Sequence, residues 1–205
     1  MSANFPIKQV LRKRILLLRE QISPDVRASH SAAITTRLLQ LPEYRQASVV
    51  LGYMSFGAEF DSSAWVKQVL ADGKRLVLPK VNQQARQLEL YRVDDLASQL
   101  TAGLWGIPEP IIERCERFDE LNKVEFTLLP GVAFTRSGAR LGYGGGFYDK
   151  LLARMASRPY LVAAAFGLQV VESIPQEVTD MKVEWIVTEQ EMIDCSVRAL
   201  NITLS

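Results

Sequence analysis

The residues best suited to chemistry lie in one glycine-dense segment, LLPGVAFTRSGARLGYGGGFYDKLL, which spans residues 128–152. Glycines let a backbone approach a ligand closely, and amides at the start of a following helix can hold phosphate oxygens. Arg140 adds a planar cation that suits such oxygens, and Asp149 is predicted in the first helical turn beside them. Together these features predict a pocket for the phosphates of a nucleotide.

The spacing of these glycines matches neither common phosphate loop. The segment contains no GxxxxGK[ST] pattern, and Gly142-Tyr143-Gly144 is followed by Phe147 where GxGxxG requires glycine. The alternative interpretation is a long, flexible connection between strand and helix, with an aspartate that stabilises the helix start. Glycine spacing alone leaves both interpretations open.

A second set of charged residues lies near the N-terminus. At about 100° per residue, Lys8, Arg12 and Arg19 fall within about 40° of one another on a predicted helix, beside its apolar face. These cations either point into a cleft or form a solvated rim whose hydrocarbon stems cover apolar surface. A nucleic-acid surface is disfavoured because the stripe is short and contains no interleaved aromatic residues.

Helices and short apolar strands alternate along the chain and must position these residues. The predicted helices are Ile7–Ile22, a second from Ser23-Pro24 to about Gln40, Asp61–Ala71 and one that begins at about Phe147. Ser23 is the predicted N-cap and Pro24 the first-turn proline of the second helix, which Pro42 ends, and Gly73 is the predicted end of the third. The predicted strands are Ala47–Met54, Leu76–Leu78, Leu88–Arg92, Phe126–Leu129, Tyr160–Phe166 and Trp185–Thr188. Residues Ile7, Leu11, Ile15, Leu18 and Ile22 form the apolar face of the first helix, and Thr101–Pro110 is predicted as a surface loop.

This alternation is typical of a single α/β domain over residues 1–205. Continuously apolar strands between helices predict a mainly parallel, Rossmann-like sheet that is covered on both faces. Leu88–Arg92 is the exception, because it also suits an antiparallel or edge strand. In open sheets of this kind, ligands bind beyond the carboxyl ends of the strands, where the glycine-dense segment begins.

Composition excludes several classes of protein. The chain has 205 residues, 48% of them hydrophobic, and a net charge of +1, which argues against disorder and against a global field for nucleic acid or anionic membrane. Cys115 and Cys195 form no metal-binding pattern, and no apolar run approaches about 18 residues. We therefore expect a cytoplasmic, monomeric protein without disulfides, and His30, mid-helix, is expected to play no catalytic part.

Several segments together resemble the 5-formyltetrahydrofolate cyclo-ligase family, also called methenyltetrahydrofolate synthetases. These segments are KQVLR at residues 8–12, Met54 to Glu59, PGVAF at residues 130–134 with RLGYGGGFYD at residues 140–149, and DMKV at residues 180–183. They occur in order along nearly the whole chain. The resemblance implies a three-layer α/β/α sandwich, in agreement with the fold predicted from the strands and helices.

The resemblance also implies an activity and its cofactors. Members of the family use ATP and Mg²⁺ to convert 5-formyltetrahydrofolate, with or without a polyglutamate tail, to 5,10-methenyltetrahydrofolate, releasing ADP and phosphate. Transfer of the γ-phosphoryl group to the formyl oxygen creates a leaving group that N10 displaces. Phosphoryl transfer needs positioning and charge neutralisation more than a protein nucleophile, which suits a chain with one histidine.

Family roles carry over residue by residue. ATP contacts fall on Lys8, Gln9, Val10, Leu11, Arg12, Arg140, Leu141, Gly142, Tyr143, Gly144, Gly145, Gly146, Phe147 and Tyr148, with catalytic roles expected for Arg140 and Tyr148. Folate contacts fall on Met54, Glu59, Trp105, Tyr143, Gly144, Gly145, Gly146 and Phe147, and magnesium on Asp149 and Asp180. Without the resemblance, Glu59 is a solvated loop acid, Asp180 a turn or cap residue and Trp105 a packing anchor.

The chain departs from the family pattern in two ways. Many members have a tyrosine where Phe147 stands, and some have a lysine or arginine where this chain has Tyr143 and Gly145. Phosphate charge must then be met by Arg140, magnesium and the first helix.

Two other functions remain open at this point. A phosphosugar isomerase-like enzyme would share the α/β architecture and would need a positioned acid or base but no ATP. A nucleotide- or RNA-binding module would keep the fold and bind without turnover.

Overall fold

The computed structural model describes residues 5–177 and 180–196. Its α-helices are α1 (Phe5–Glu20), α2 (Pro24–Leu38), α3 (Pro42–Gln46), α4 (Ser63–Ala71), α5 (Leu96–Gln99) and α6 (Phe147–Leu152). Its strands are β1 (Val49–Leu51), β2 (Arg75–Asn82), β3 (Gln87–Val93), β4 (Leu100–Ala102), β5 (Pro108–Pro110), β6 (Glu116–Arg117), β7 (Phe126–Leu129), β8 (Ala133–Thr135), β9 (Arg140–Leu141), β10 (Tyr160–Ala164), β11 (Val170–Val171), β12 (Trp185–Val187) and β13 (Met192–Asp194).

An eight-stranded sheet with the order β13-β12-β10-β7-β1-β2-β3-β6 forms the centre of the molecule. The five strands β12, β10, β7, β1 and β2 pair in parallel, and β13, β3 and β6 join the edges antiparallel. The prediction of a mainly parallel α/β sheet is therefore confirmed. The segment Leu88–Arg92 lies in β3, so its antiparallel interpretation is the right one.

Successive residues of a strand point to opposite sides of the sheet. Because successive residues of the central strands are apolar, both faces of the sheet are apolar. Val50 and Leu76 pack with α2, α3 and α4 in the largest core cluster. On the other face, Leu51 and Val77 pack against Leu151 of α6. Helices on both faces give the expected three layers and explain why the parallel strands appear as continuous hydrophobic runs.

The connection between the second and third helices differs from the sequence prediction. Ser23 does cap α2, with its hydroxyl accepting from the Val26 amide at 3.4 Å. Pro42 does not simply end a helix, because it is the first residue of the short helix α3. The amide of the first helical residue has no partner within the helix, so proline, which has no amide hydrogen, is well tolerated there. The same residue type that ends one helix can therefore begin the next.

Part of the glycine-dense segment is a β-hairpin rather than a long flexible loop. Strands β8 and β9 pair antiparallel, and β11 joins them in a second, three-stranded sheet. The Val132 amide donates to the Leu141 carbonyl at 2.7 Å, and Gly138 takes a φ of +85° at the turn. The hairpin leaves only Gly142–Gly146 as a true loop and fixes the start of that loop.

The stretch Thr101–Pro110 is also more ordered than predicted. It contains most of a small hairpin in which Leu100 pairs with Pro110 and Ala102 with Pro108. A turn over Leu104–Gly106 joins the two strands. Proline cannot donate a hydrogen bond to a neighbouring strand, so a segment rich in proline is not predicted as a strand. It is still tolerated in an edge strand, where one side needs no amide donor.

The order of the strands predicts where a ligand binds. From β1, the chain adds β2 on one side and β7 on the other, so the direction of winding reverses between β1 and β7. The carboxyl ends of two strands at such a reversal diverge and leave a crevice. Among the described residues, no helix is both long and apolar enough to span a membrane.

Candidate active site

A cavity of about 1130 Å³ opens at the carboxyl ends of β1 and β7. One side, here called the cationic end, is lined by Lys8, Arg12, Arg140, Asp149, Glu177 and Asp180. The other side, the aromatic end, is lined by Tyr53, Met54, Phe56, Glu59 and Tyr143. The loop Gly142–Gly146 lines the same cavity, with Phe147 and Tyr148 following it.

Arg140 is set into position by the hairpin and the loop. Its side chain is buried, with Nη1 donating to the Pro130 carbonyl at 3.1 Å and Nη2 to Asp149 Oδ1 at 2.7 Å. Its Nε is also buried and has no hydrogen-bond partner among the described residues. A buried donor without an acceptor is costly, so this guanidinium is prepared for an additional oxygen ligand.

The loop requires glycine where it approaches Arg12. Gly144 has a φ of +103°, which L-residues with side chains rarely adopt, and Gly146 has a φ of +65° at the start of α6. A Cβ on Gly144 would lie 3.7 Å from Arg12 Cζ. Arg12 Nε donates to the Gly142 carbonyl at 2.7 Å, so α1 holds the loop directly.

Helix α1 buries two of its cations and exposes part of its apolar stripe. Lys8 and Arg19 are 8% and 4% exposed, whereas Ile7 and Leu18 are 57% and 37% exposed. The prediction that Ile7 and Leu18 share a buried face with Ile15 is therefore wrong for these two residues. The helix is rotated so that Lys8 and Arg19 each bind an acceptor of a distant segment inside the protein, and this rules out the solvated-rim interpretation for both residues.

The cation nearest the start of α1 meets the predicted metal ligand. Lys8 Nζ lies 2.7 Å from Asp180 Oδ2 and 3.8 Å from Glu177 Oε1. The Glu177 amide donates to the same oxygen of Asp180 at 2.9 Å. Nearby, burial lowers the pKa of Arg12, and the charge of Asp180 opposes that shift.

The three other predicted residues of this helix segment do not line the cavity. Val10 is 71% exposed, and Gln9 is exposed beside a shallower neighbouring groove. Leu11 packs against the core cluster that contains Ile15 and Leu141. The run of residues 8–12 therefore contributes two side chains to the cavity, one helical turn apart.

Glu59 is a buried carboxylate at the aromatic end, not a solvated loop acid. It is 5% exposed, its Oε2 accepts from the Phe56 amide at 3.0 Å, and its Oε1 accepts from the Tyr143 hydroxyl. Burial raises the pKa of Glu59 above its ordinary value. The hydrogen bonds from Tyr143 and Phe56 and the charge of Arg19 act in the opposite direction.

Tyr143 joins the loop to this carboxylate and to α1. Its hydroxyl accepts from Arg19 Nη1 at 2.9 Å, and its ring lies 5.3 Å from the ring of Phe56. Tyr143 as a whole is 38% exposed, but its hydroxyl lies between Arg19 and Glu59. Sequence reasoning placed Arg19 on the cationic stripe but missed it as part of the site, although its helical position beside Lys8 and Arg12 carried the signal.

Two further tyrosines lie near Glu59, Tyr53 at the aromatic end and Tyr148 where the charges of both Glu59 and Arg140 act on it. Burial raises the pKa of Tyr53 and of Tyr148, and the charge of Glu59 adds to both shifts. Both phenols therefore stay protonated at neutral pH. The expected role of Tyr148 is then that of a neutral hydroxyl beside the reacting groups.

An acid that sequence reasoning did not single out also lines the cavity. Glu109 is 7% exposed on β5 and pairs with Lys80 Nζ at 3.3 Å. The backbone of Trp105 lies in the turn before β5, but its side chain is outside the described part of the structure. The predicted packing of Trp105 against folate stays a prediction.

Asp149 and Asp180 border the same cavity from different elements. Oδ1 of Asp149 and Oδ2 of Asp180 are bound to cations, and the residues described provide no group of three or more potential metal ligands. Mg²⁺ does not need such a cage, since it usually takes one or two carboxylates together with waters and phosphate oxygens. Two carboxylates therefore fit a magnesium ion whose other ligands are waters and the phosphate oxygens of a bound ligand.

The groups excluded from chemistry on sequence grounds do not line the cavity. His30 is a helical residue whose Nδ1 lies 3.9 Å from Glu189 Oε1. Cys115 is buried and Cys195 half-buried, and both are free thiols. Burial raises the pKa of Cys115, and it raises the pKa of Cys195 to about 12, so neither is a thiolate at neutral pH.

Comparisons with known proteins show which family and fold this chain resembles. The sequence profile of the 5-formyltetrahydrofolate cyclo-ligase family matches residues 4–189. A 5-formyltetrahydrofolate cyclo-ligase from Haemophilus influenzae is 29% identical over 182 residues, covering 87% of this chain and 95% of that protein. An NMR structure of a 5,10-methenyltetrahydrofolate synthetase from Aquifex aeolicus has 35% identity and a TM-score of 0.81, covering 92% of this chain and 93% of that one. A Mycoplasma pneumoniae structure, with 21% identity and a TM-score of 0.70, shares the fold.

Proposed function

The chain belongs to the 5-formyltetrahydrofolate cyclo-ligase family, and from this premise we propose that it converts 5-formyltetrahydrofolate to 5,10-methenyltetrahydrofolate at the expense of ATP. One observation supports the proposal most: a single cavity joins a cationic end to an aromatic end across one glycine loop. Its volume of about 1130 Å³ exceeds that of a typical single-ligand pocket, roughly 300–1,000 Å³, and suits two substrates bound side by side.

The cationic end suits the triphosphate of ATP. Lys8, Arg12 and Arg140 supply positive charge from two elements, and the backbone of Gly142–Gly146 leaves room for phosphate oxygens. Helix α6 has six residues, so its dipole contributes less than the loop amides and the cations. Arg140, with a buried Nε that lacks a partner among the described residues, is the residue we assign to the transferring phosphoryl group.

The aromatic end suits the pterin ring of the folate. A reduced pterin presents adjacent N–H donors on its pyrimidine edge, and an ionised carboxylate accepts two such bonds. Glu59 is the buried carboxylate of this end, with the rings of Phe56 and Tyr143 beside it and Met54 near the end of β1. These side chains bind one face and one edge of a flat heterocycle.

The proposed reaction balances without a protein nucleophile. The formyl oxygen forms a bond to the γ-phosphorus as the bond from that phosphorus to the β–γ bridging oxygen breaks, and ADP leaves. N10 then attacks the formyl carbon, loses its proton to solvent, and the carbon–oxygen bond breaks to release phosphate. The positive charge of the product is shared between N5 and N10.

The residues of the chain bind and neutralise charge during this sequence. Asp149 and Asp180 would hold magnesium, which offsets charge on the transferring phosphoryl group. Arg140 holds the phosphoryl oxygens, and the neutral hydroxyl of Tyr148 lies close to the same region. Glu59 and the loop fix the folate so that its formyl oxygen faces the phosphate, and such positioning accounts for much of the barrier in phosphoryl transfer.

The remaining proposals concern the setting of the enzyme. We expect a single-domain monomer in the cytoplasm whose partners are ATP and folate, with no role for nucleic acid. The free thiols of Cys115 and Cys195 are consistent with a reducing compartment.

An absorbance assay tests the proposed reaction. Purified protein with 5-formyltetrahydrofolate and MgATP should form the cyclised product, with one phosphate released per ring closed. Omission of ATP or of Mg²⁺ should each abolish the signal. Turnover of a phosphosugar without ATP would favour the isomerase alternative, and ATP binding without any product would favour a binding module.

A further inference from the structure

Arg19 is the one buried cation of α1 that does not line the cavity. It is 4% exposed, Nη1 donates to the Tyr143 hydroxyl, and its guanidinium carbon lies 5.8 Å from the centre of the Tyr143 ring. Its Nε is buried and has no partner within the described residues. A guanidinium buried with so few acceptors costs free energy, and that cost indicates a role beyond packing.

The chemistry of the three groups fixes the direction of their hydrogen bonds. An arginine can only donate, and an ionised carboxylate can only accept. Tyr143 lies between them, so its oxygen must accept from Arg19 and its single proton must go to Glu59. The order of donors is therefore Arg19 to Tyr143 to Glu59, and rotation of the phenol proton away from Glu59 is blocked by the arginine.

Within residues 5–177 and 180–196, four titratable groups face Glu59 from the elements around it. They are the Tyr143 phenol from the glycine loop, Tyr53 after β1, Tyr148 on α6 and Arg19 on α1. Three are neutral hydroxyls at neutral pH, since burial raises the pKa of each. Arg19 is the cation whose charge acts on Glu59, and it does so from beyond the phenol.

We propose that Arg19 is a positioning residue for folate recognition: it holds the Tyr143 hydroxyl so that its proton points at Glu59, which stays an ionised acceptor for the pterin. Arg19 touches neither substrate, and its effect passes through Tyr143. The inference rests on the proposed function, because it assumes that Glu59 receives the pterin N–H groups. It adds that the selectivity of the aromatic end depends on a residue of the N-terminal helix.

A binding experiment across pH separates positioning from a packing role. Calorimetric titration of 5-formyltetrahydrofolate without ATP should show roughly tenfold weaker binding for Arg19→Met at neutral pH. Without the arginine charge, Glu59 becomes protonated at a higher pH. As the pH is lowered, the affinity for 5-formyltetrahydrofolate should therefore fall at a higher pH in Arg19→Met than in the wild type. KM for ATP should stay the same. Arg14→Met is the matched control, because Arg14 is an exposed arginine of the same helix.

Three further variants complete the test. Arg19→Lys keeps the charge and should recover part of both the affinity and the pH profile. Tyr143→Phe should weaken folate binding, and Arg19→Met added to it should have little further effect if Arg19 acts through the phenol. Equal losses in thermal stability, folate binding and ATP binding for Arg19→Met, with an unchanged pH profile, would overturn the proposal. Absence of folate binding by the wild-type protein would instead contradict the proposed function.

Discussion

The two ends of the cavity use carboxylates in opposite ways. At the cationic end, Asp149 and Asp180 each contact a cation directly, at 2.7 Å from Arg140 and from Lys8. At the aromatic end, Glu59 is 5% exposed and contacts a neutral phenol, with the nearest cation one residue further away. One end therefore contains ion pairs that a charged ligand can exchange, and the other contains an acceptor held for N–H donors.

Under the proposed function, this difference allows one cavity to bind two dissimilar molecules. A magnesium–phosphate ligand carries both signs of charge, so it can replace each partner in the two ion pairs without leaving a charge unpaired. A pterin carries donors on a flat ring, and it needs a fixed acceptor rather than an exchangeable one. The loop Gly142–Gly146 separates the two environments because Tyr143 faces the aromatic end while Gly142 and Gly144 lie against Arg12.

The largest effect is expected from Asp149→Asn. Asparagine is nearly isosteric and suits the first helical turn, so the fold should persist, but magnesium loses a charged ligand. We expect roughly 100-fold lower kcat and a higher magnesium requirement, measured by titrating Mg²⁺ at saturating ATP. Asp180→Asn should act in the same direction, and the double variant should be less than additive if both serve one ion. An unchanged magnesium requirement would leave Asp149 the roles of a helix-start acid and of the ion-pair partner of Arg140.

A somewhat smaller effect, confined to the other end, is expected from Glu59→Gln. The amide cannot accept from two N–H donors as a carboxylate can, so KM for folate should rise about 10- to 100-fold while KM for ATP changes little. Separate measurement of the two KM values checks this. A rise in KM for ATP alone would show that the carboxylate has been assigned to the wrong substrate.

The same Glu59→Gln variant should lose part of the pH dependence of stability. Burial raises the pKa of Glu59, so the folded state favours the protonated form, and stability falls as pH rises through that pKa. A glutamine does not titrate, so the variant should lack this fall. Melting temperatures measured between about pH 4 and pH 8 should therefore fall less with rising pH in the variant than in the wild type, and parallel curves would contradict the prediction.

Loss of one cation at the cationic end should have a milder effect. Lys8→Met and Arg12→Met should each raise KM for ATP roughly tenfold and leave KM for folate near its original value. Arg14→Met on the exposed side of α1 is the control for both. Should activity fall only in proportion to the folded fraction seen by circular dichroism, these residues would be structural.

The smallest effect is expected from groups outside both ends. Replacing His30, Cys115 and Cys195 together with small residues should leave kcat unchanged in the folded protein, because the proposed reaction uses no imidazole and no thiolate. Both kcat and the folded fraction need measurement, since Cys115 is 9% exposed and its replacement can lower stability. A loss of several orders of magnitude in the folded variant would exclude the proposed mechanism.

Much of the fold was predictable because the parallel strands are buried on both faces. A run such as Phe126–Leu129 is apolar at every position and indicates a central strand without further context. The short strands β8, β9 and β5 were missed because glycine and proline dominate their surroundings. Each pairs within a short hairpin, β8 with β9 and β5 with β4, whose glycine and proline residues interrupt the hydrophobic alternation that would indicate a strand.

The sequence by itself determined the glycine run, Arg140, Asp149 and their place between a strand and a helix, because these features depend on local backbone preferences. Only the tertiary structure decided which side of α1 faces inward. Lys8 meets Asp180 across 172 residues, Arg19 meets Tyr143 across 124, and Tyr143 meets Glu59 across 84. Lys8 and Arg19 can be buried because each has an acceptor beside it in the folded protein, and acceptors this distant in the chain cannot be inferred from the residue pattern of the helix.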